Sequence, residues 1–283
     1  MKLANKFAAV FTSAALLSGT ALMAGDGKTF KEYKEEVIIE EPVQWWNADL
    51  STGWDSLYMF RGVNVLPGFE DYGSSLYWTD LSVTFNLSEN DFLTLGSWVA
   101  FGISETSYKE FDGYAAYTHT FGDLAVSLGY TYYHILSETF GLYSHELSAG
   151  VAYAIALGPV TVTPGINYFF NVGPKPGQRG FVEQAASYLE GRIDVEIPIY
   201  QDIVALTPWT SFGTNFRYNL TENDNPPSPF IGGNDFQAGV ALPIALSEVV
   251  SVAPYGAYSY QWNDLIGTDP HTFWGGGSVT FSF

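Results

Sequence analysis

The chain has 283 residues, a formal net charge of −19, no cysteine, 17% aromatic residues and 14% charged residues. The lack of cysteine excludes disulfides, thiolate metal sites and a lipid-modified cysteine anchor, and the negative charge argues against a nucleic-acid partner, whose phosphates it would repel. Charged residues are well below the usual fraction of about a quarter, yet beyond the first 24 residues no apolar run approaches the length of a helical membrane span. Such a chain can still live in a membrane as a closed β-barrel, because a barrel satisfies every backbone group without water.

The N-terminus carries Lys2 and Lys6, an apolar stretch from Phe7 to Leu17 and small residues up to Ala24. That is the layout of a secretory signal peptide, expected over residues 1–24 with cleavage after Ala24, Ala21 being the alternative cut and a retained anchor the alternative reading. Residues 25–44 are charged, lack a matching apolar face and end near Pro42, so they read as a periplasmic N-terminal tail.

From residue 45 to 283 the pattern changes to period-two alternation. In the first segment Trp46, Ala48, Leu50, Thr52 and Trp54 alternate with Asn47, Asp49, Ser51, Gly53 and Asp55. The second sets Tyr77, Thr79, Leu81, Val83 and Phe85 against Trp78, Asp80, Ser82, Thr84 and Asn86. The alternation returns at Leu93–Phe101, Gly113–Phe121, Leu124–Tyr132, Leu147–Tyr153, Val160–Phe170 and Leu189–Ile197, and again at Val204–Phe212, Phe236–Leu242, Val250–Tyr260 and Phe273–Phe283. Segments of about ten residues with one apolar and one polar face are the mark of strands with lipid outside and water inside. The fold expected is an all-β, transmembrane, antiparallel up-and-down β-barrel of 12 strands.

The connections sort by length. Short links at 88–91, 122–123, 155–159, 198–202 and 243–248 alternate with longer ones near 59–74, 103–112, 134–145, 171–187, 214–234 and 263–271. In outer-membrane barrels the short turns face the periplasm and the long loops face outside, so both termini are expected to be periplasmic in the outer membrane of a Gram-negative bacterium. Pro164, Pro208 and Pro254 fall at the same point of three strands, 44 and 46 residues apart, where a regular bulge or bend is expected. Tyr130, Tyr132, Tyr133, Tyr168, Phe169, Phe170, Tyr258, Tyr260 and Trp262 precede long loops and suit an aromatic girdle at the lipid headgroups.

The inward positions expected to line a pore are Asp49, Asp55, Asp80, Glu146, Glu190, Asp194, Glu196 and Asp235, with Arg192 as the one base among them. A wall of one charge sign favours ions of the other, so the expectation is mild cation preference; local pairing of Arg192 with Glu190 or Asp194 is the competing reading. Twelve strands leave a narrow lumen, which the loops at Asn215–Asp235 and Asn171–Gln184 could constrict, the latter carrying Lys175 and Arg179. His119, His134, His145 and His271 lack a serine partner at usable spacing, no G-x-S-x-G elbow occurs, and no metal-ligand spacing is present. No catalytic residue, cofactor or metal is therefore expected.

Two resemblances add to this reading. The stretch Leu50–Val65, with Tyr58, Phe60, Arg61 and Gly62, resembles the YxFRG-like loop after the first strand of the TorF-type porin family. The C-terminal Phe283 is similar to the terminal aromatic of bacterial outer-membrane proteins, which implies recognition by the barrel-assembly machinery. Together they imply a channel for passive diffusion of small solutes or cations, set in outer-membrane lipid. The alternative is a closed structural or adhesive barrel that binds cations or surface partners through its loops.

Overall fold

Alternation of this kind leaves each strand with one face that must meet apolar surroundings and one that must not, and closing the sheet satisfies both. A computed structural model describes residues 45–66, 75–103, 108–136, 141–173, 185–201, 203–221, 228–262 and 270–283. The expected signal peptide and tail, Lys175 and Arg179 lie outside these residues.

Twelve long strands form the wall. They are β1 (Trp46–Asp55), β2 (Leu76–Asn86), β3 (Asp91–Gly102), β4 (Lys109–Phe121), β5 (Leu124–Leu136) and β6 (Gly141–Tyr153). The second half comprises β7 (Val160–Asn171), β8 (Ser187–Tyr200), β9 (Val204–Thr221), β10 (Ser228–Ala241), β11 (Val250–Gln261) and β12 (His271–Ser282). Ile155–Leu157 prolongs β6 and Ile244–Ala245 prolongs β10. Each strand pairs antiparallel with its neighbours in chain order, and β12 returns to β1 in register from Asp49↔Ser282 to Asp55↔Gly276. Phe283 completes the seam by exchanging backbone hydrogen bonds with Ala48 at 2.9 and 3.2 Å. No wall strand is left with an open edge, so the backbone of the wall is satisfied within lipid.

The ends of the strands at the short turns match the alternation closely, whereas the ends at the long loops run further than expected. β9 and β10 extend through Asn215–Thr221 and Ser228–Asp235, so most of the loop expected at Asn215–Asp235 is strand. β4 begins at Lys109 rather than Gly113, which adds Glu110 and Asp112 to the inward face.

The three aligned prolines do not produce a bulge. Each pairs normally on its following strand, at Pro164↔Ile193, Pro208↔Val240 and Pro254↔Gly277. On the preceding strand the ladder is interrupted opposite each ring, at Tyr153–Ala154, Val195–Glu196 and Leu242–Pro243, and resumes in the same register. A missing N–H is enough to open the ladder locally without adding a residue.

Outward positions carry the apolar belt, including Leu81, Leu95, Leu128, Leu147, Ile166, Ile193, Phe212 and Phe281, all exposed. Toward the loop end, two outward clusters are built alike. Tyr130 and Tyr132 flank His145, and Tyr258 and Tyr260 flank His271, with the Tyr130 and Tyr258 hydroxyls each 2.7 Å from the histidine Nδ1. The expected girdle therefore forms, with two corrections: Tyr133 and Phe169 point inward and are buried.

Candidate functional site

The lumen at the loop end is filled by a feature absent from the sequence expectation. After β1 the chain turns inward as a small hairpin in which Met59–Phe60 pairs with Val63–Asn64. Its two central residues, Arg61 and Gly62, have φ of 49° and 79°, the double positive φ that a type I′ two-residue turn requires. The flanking Tyr58, Met59 and Leu66 are buried, and the hairpin packs against three separate aromatic clusters on the wall. Tyr58 and Leu66 meet Trp78, Trp98 and Tyr108; Phe60 meets Phe169, Tyr188 and Tyr218; Met59 meets Trp209 and Trp274. Side chains too apolar for an exposed loop are thus removed from water inside the barrel. Among the described residues the constriction comes from this first loop, with Tyr218 and Asn234 of the expected Asn215–Asp235 segment packed or bonded against it, while residues 174–184 and 222–227 lie outside the described residues.

Arg61 anchors the tip. Its guanidinium makes a two-pronged ion pair with Glu146, at 2.5 and 2.7 Å, and both side chains are almost wholly buried. Tyr133 and Tyr218 donate to the same carboxylate at 3.0 and 2.8 Å. The guanidinium carbon also lies 3.9 Å from the Phe169 ring centroid and 4.6 Å from those of Phe60 and Tyr218. Burial by itself disfavours the charged guanidinium, but Glu146 together with the Tyr218 and Tyr133 hydroxyls holds the Arg61 pKa above its ordinary value. The tip backbone is held too: Asn234 Nδ2 donates to the Arg61 carbonyl at 2.9 Å and Gln261 Nε2 donates to the Gly62 carbonyl.

Gly62 could not be replaced without cost. A Cβ there would lie 2.7 Å from Asp235 Cβ, in a backbone conformation that L side chains rarely adopt. Gly62→Val is expected to destabilise the barrel by about 1–3 kcal/mol, measured as a lowered urea midpoint in lipid or micelles.

The carboxylates expected along the wall are all on inward faces, but most of those toward the loop end are held by tyrosine hydroxyls. Tyr255 donates to Asp55 at 2.6 Å, Tyr114 reaches both oxygens of Asp80 at 3.1 Å, and Tyr188 donates to Asp235 at 2.6 Å. Asp235 accepts two further bonds, from Asn234 and Gln237. Glu190 is buried and accepts from Asn167 at 3.3 Å, one strand away from Asp235 across Gly213. Toward the short-turn end, Asp49 accepts from Ser282 at 2.6 Å, and Glu196 is half-buried opposite Thr161. Arg192 pairs with Asp194 through three contacts of 2.8–3.0 Å and lies over the Trp209 ring.

Arg192 is thus not the only inward base, since Arg61 also enters the lumen. Glu110 and Asp112, which precede the expected strand start at Gly113, are buried beside Tyr58 and Tyr108. Their signal was present, since Glu110, Asp112 and Tyr114 keep the inward phase of the strand. Among the histidines, His119 contacts Asp91 at 2.7 Å, while His145 and His271 contact tyrosines on the outer surface. Among the described residues no group of three or more His, Asp or Glu side chains is placed to hold a metal ion.

These features define a class: a closed antiparallel membrane barrel whose polar and aromatic lumen is occupied at one end by its own first loop. Among solved structures the chain is similar to an outer membrane channel from Pseudomonas putida F1, at 10% identity and a TM-score of 0.53, over 86% of this chain and 99% of that one. It is also similar to the NanC porin, at 12% identity and a TM-score of 0.49, over 83% and 98% of the two chains. A KdgM porin in complex with disordered oligogalacturonate matches at 10% identity and a TM-score of 0.46, over 84% and 99%. At 10% identity the likeness to the Pseudomonas putida channel speaks to the fold alone. No family model and no curated relative matches the chain, so the TorF-type resemblance rests on Leu50–Val65, whose Tyr58, Phe60, Arg61 and Gly62 form the lumenal hairpin.

Proposed function

We propose that this protein is an outer-membrane, porin-like channel for passive diffusion of small solutes, mildly selective for cations and constricted by the Leu57–Leu66 hairpin. The observation that carries the reading is the asymmetry of the lumen. The loop-end half is filled by the hairpin and buried polar groups, whereas Asp49, Ser51, Asp194 and Glu196 toward the short-turn end keep partial exposure. The hairpin itself is docked by side-chain contacts and two amide bonds rather than by pairing with a wall strand, so it can leave without opening the wall.

In this reading the short-turn end and both termini face the periplasm, residues 1–24 direct export, and Phe283 is the contact read by the barrel-assembly machinery. The lumenal carboxylates exceed the bases, which favours cations. Asp194 is already compensated by Arg192, so Glu190 and Glu196 contribute most of the preference. Diffusion calls for no catalytic residue or cofactor.

The test is the purified, refolded protein in a planar bilayer under a salt gradient. Discrete steps with a reversal potential of cation-selective sign are expected, and neutralising Glu190, Asp194 and Glu196 together should move that potential toward zero. Silence from protein shown to be folded would leave the closed structural or adhesive barrel in its place.

A further inference from the structure

Behind the hairpin tip, the wall carries polar atoms that the fold leaves without partners. Gln237 Oε1, Ser259 Oγ and Gln261 Oε1 are all buried and none has a hydrogen-bond partner. These residues are neighbours, because β10 and β11 pair Gln237 with Ser259 and Asp235 with Gln261. Four inward side chains therefore form a two-by-two block, with opposing Cβ atoms about 4.5–5.5 Å apart.

The orientation of both amides is fixed by what their nitrogens meet. Gln237 Nε2 donates to Asp235 Oδ2 at 2.6 Å, and Gln261 Nε2 donates to the Gly62 carbonyl. Turning either amide over would set oxygen against oxygen, so each Oε1 stays an acceptor without a donor. Leaving such a group dry is unfavourable, and here three belong to one block of cross-strand neighbours. Asp235 adds a fully buried carboxylate, while the guanidinium ion pairs of the lumen are formed by Arg61 with Glu146 and by Arg192 with Asp194.

We propose that Asp235, Gln237, Ser259 and Gln261 form a binding site for a hard, oxygen-seeking cation of the calcium class. One carboxylate, two amide oxygens and a hydroxyl are the donor types calcium accepts in irregular geometry, whereas magnesium demands a regular octahedron and softer metals prefer nitrogen or sulfur. The block has a single carboxylate, which sets it apart from sites built from several acidic or histidine side chains. A bound cation would satisfy the three orphan oxygens and balance Asp235. It would also fix the Gln261 amide that holds the hairpin tip. Binding would then favour the docked hairpin by mass action. The inference goes beyond the transport reading and does not rest on it.

Terbium(III) serves as the calcium probe on the full folded barrel, because the Tyr188 hydroxyl sits on Asp235 and can sensitise its emission. The expected result is saturable aromatic-sensitised emission that calcium displaces. Ser259→Ala and Gln237→Met should each weaken it at least tenfold, with calcium raising the urea midpoint of the native chain and not of these variants. Asp235→Asn should abolish the signal; if that variant does not fold, the two neutral substitutions decide. Absent emission, or equal emission and equal calcium response in all variants, would overturn the site and leave water on the orphan oxygens and cations on the acidic loops.

Discussion

Replacing Glu146 with alanine is expected to destabilise the folded barrel by about 3–5 kcal/mol, the cost of leaving a buried charge without its partner. Arg61 is sealed among Phe60, Phe169, Tyr188 and Tyr218, so water cannot readily take the place of the carboxylate. The hydroxyls of Tyr133 and Tyr218 would lose their acceptor at the same time. The double change Arg61→Met with Glu146→Leu removes both charges and should cost far less, since a buried pair and an apolar pair of similar volume are often close in stability. Urea unfolding of the two variants beside the native chain checks this. Similar midpoints for the single and double variants would mean that the hairpin is not docked through this pair.

The second large effect concerns the lumen. Exchanging residues 57–66 for a short Gly-Ser link should leave the wall intact, because β1, β2 and β12 are joined by continuous ladders that the hairpin does not enter. Glu146 would lose Arg61, but the opened lumen would admit water to hydrate it, so the stability loss should be smaller than for Glu146→Ala. Removing the side chains of Tyr58, Met59, Phe60, Arg61 and Leu66 clears the packed hairpin from the loop end of the lumen. Single-channel conductance is expected to rise severalfold.

Much of this architecture is legible in the residues themselves. The number of strands and their starts at Trp46, Leu124, Val160, Val204 and Val250 follow from period-two alternation, which is sharp where aliphatic residues meet lipid. The contrast fades toward the loop ends, where Lys109, His134 and His145 occupy outward positions; polar residues then fall on both faces and the strand ends blur. That fading hid Glu110 and Asp112. Alternation also places Glu146, Glu190 and Asp235 inward, but it says nothing of distance, so it could not show that Glu146 holds Arg61 or that tyrosines hold the other carboxylates. The hairpin did leave a trace: Leu57, Tyr58, Met59, Phe60, Val63, Val65 and Leu66 are too apolar for an outside loop, and Arg61-Gly62 divides them at a turn. What the sequence cannot convey is that these side chains fold back onto the aromatic clusters inside the barrel.

The most direct test of the account is to record the native chain and the hairpin-replaced chain in planar bilayers under one salt gradient, after showing that both are folded. The account predicts small or infrequent cation-selective steps for the native protein and larger, steadier ones once the hairpin is gone. Silence from both, or steps of equal size, would contradict the claim that this hairpin closes the lumen of a channel.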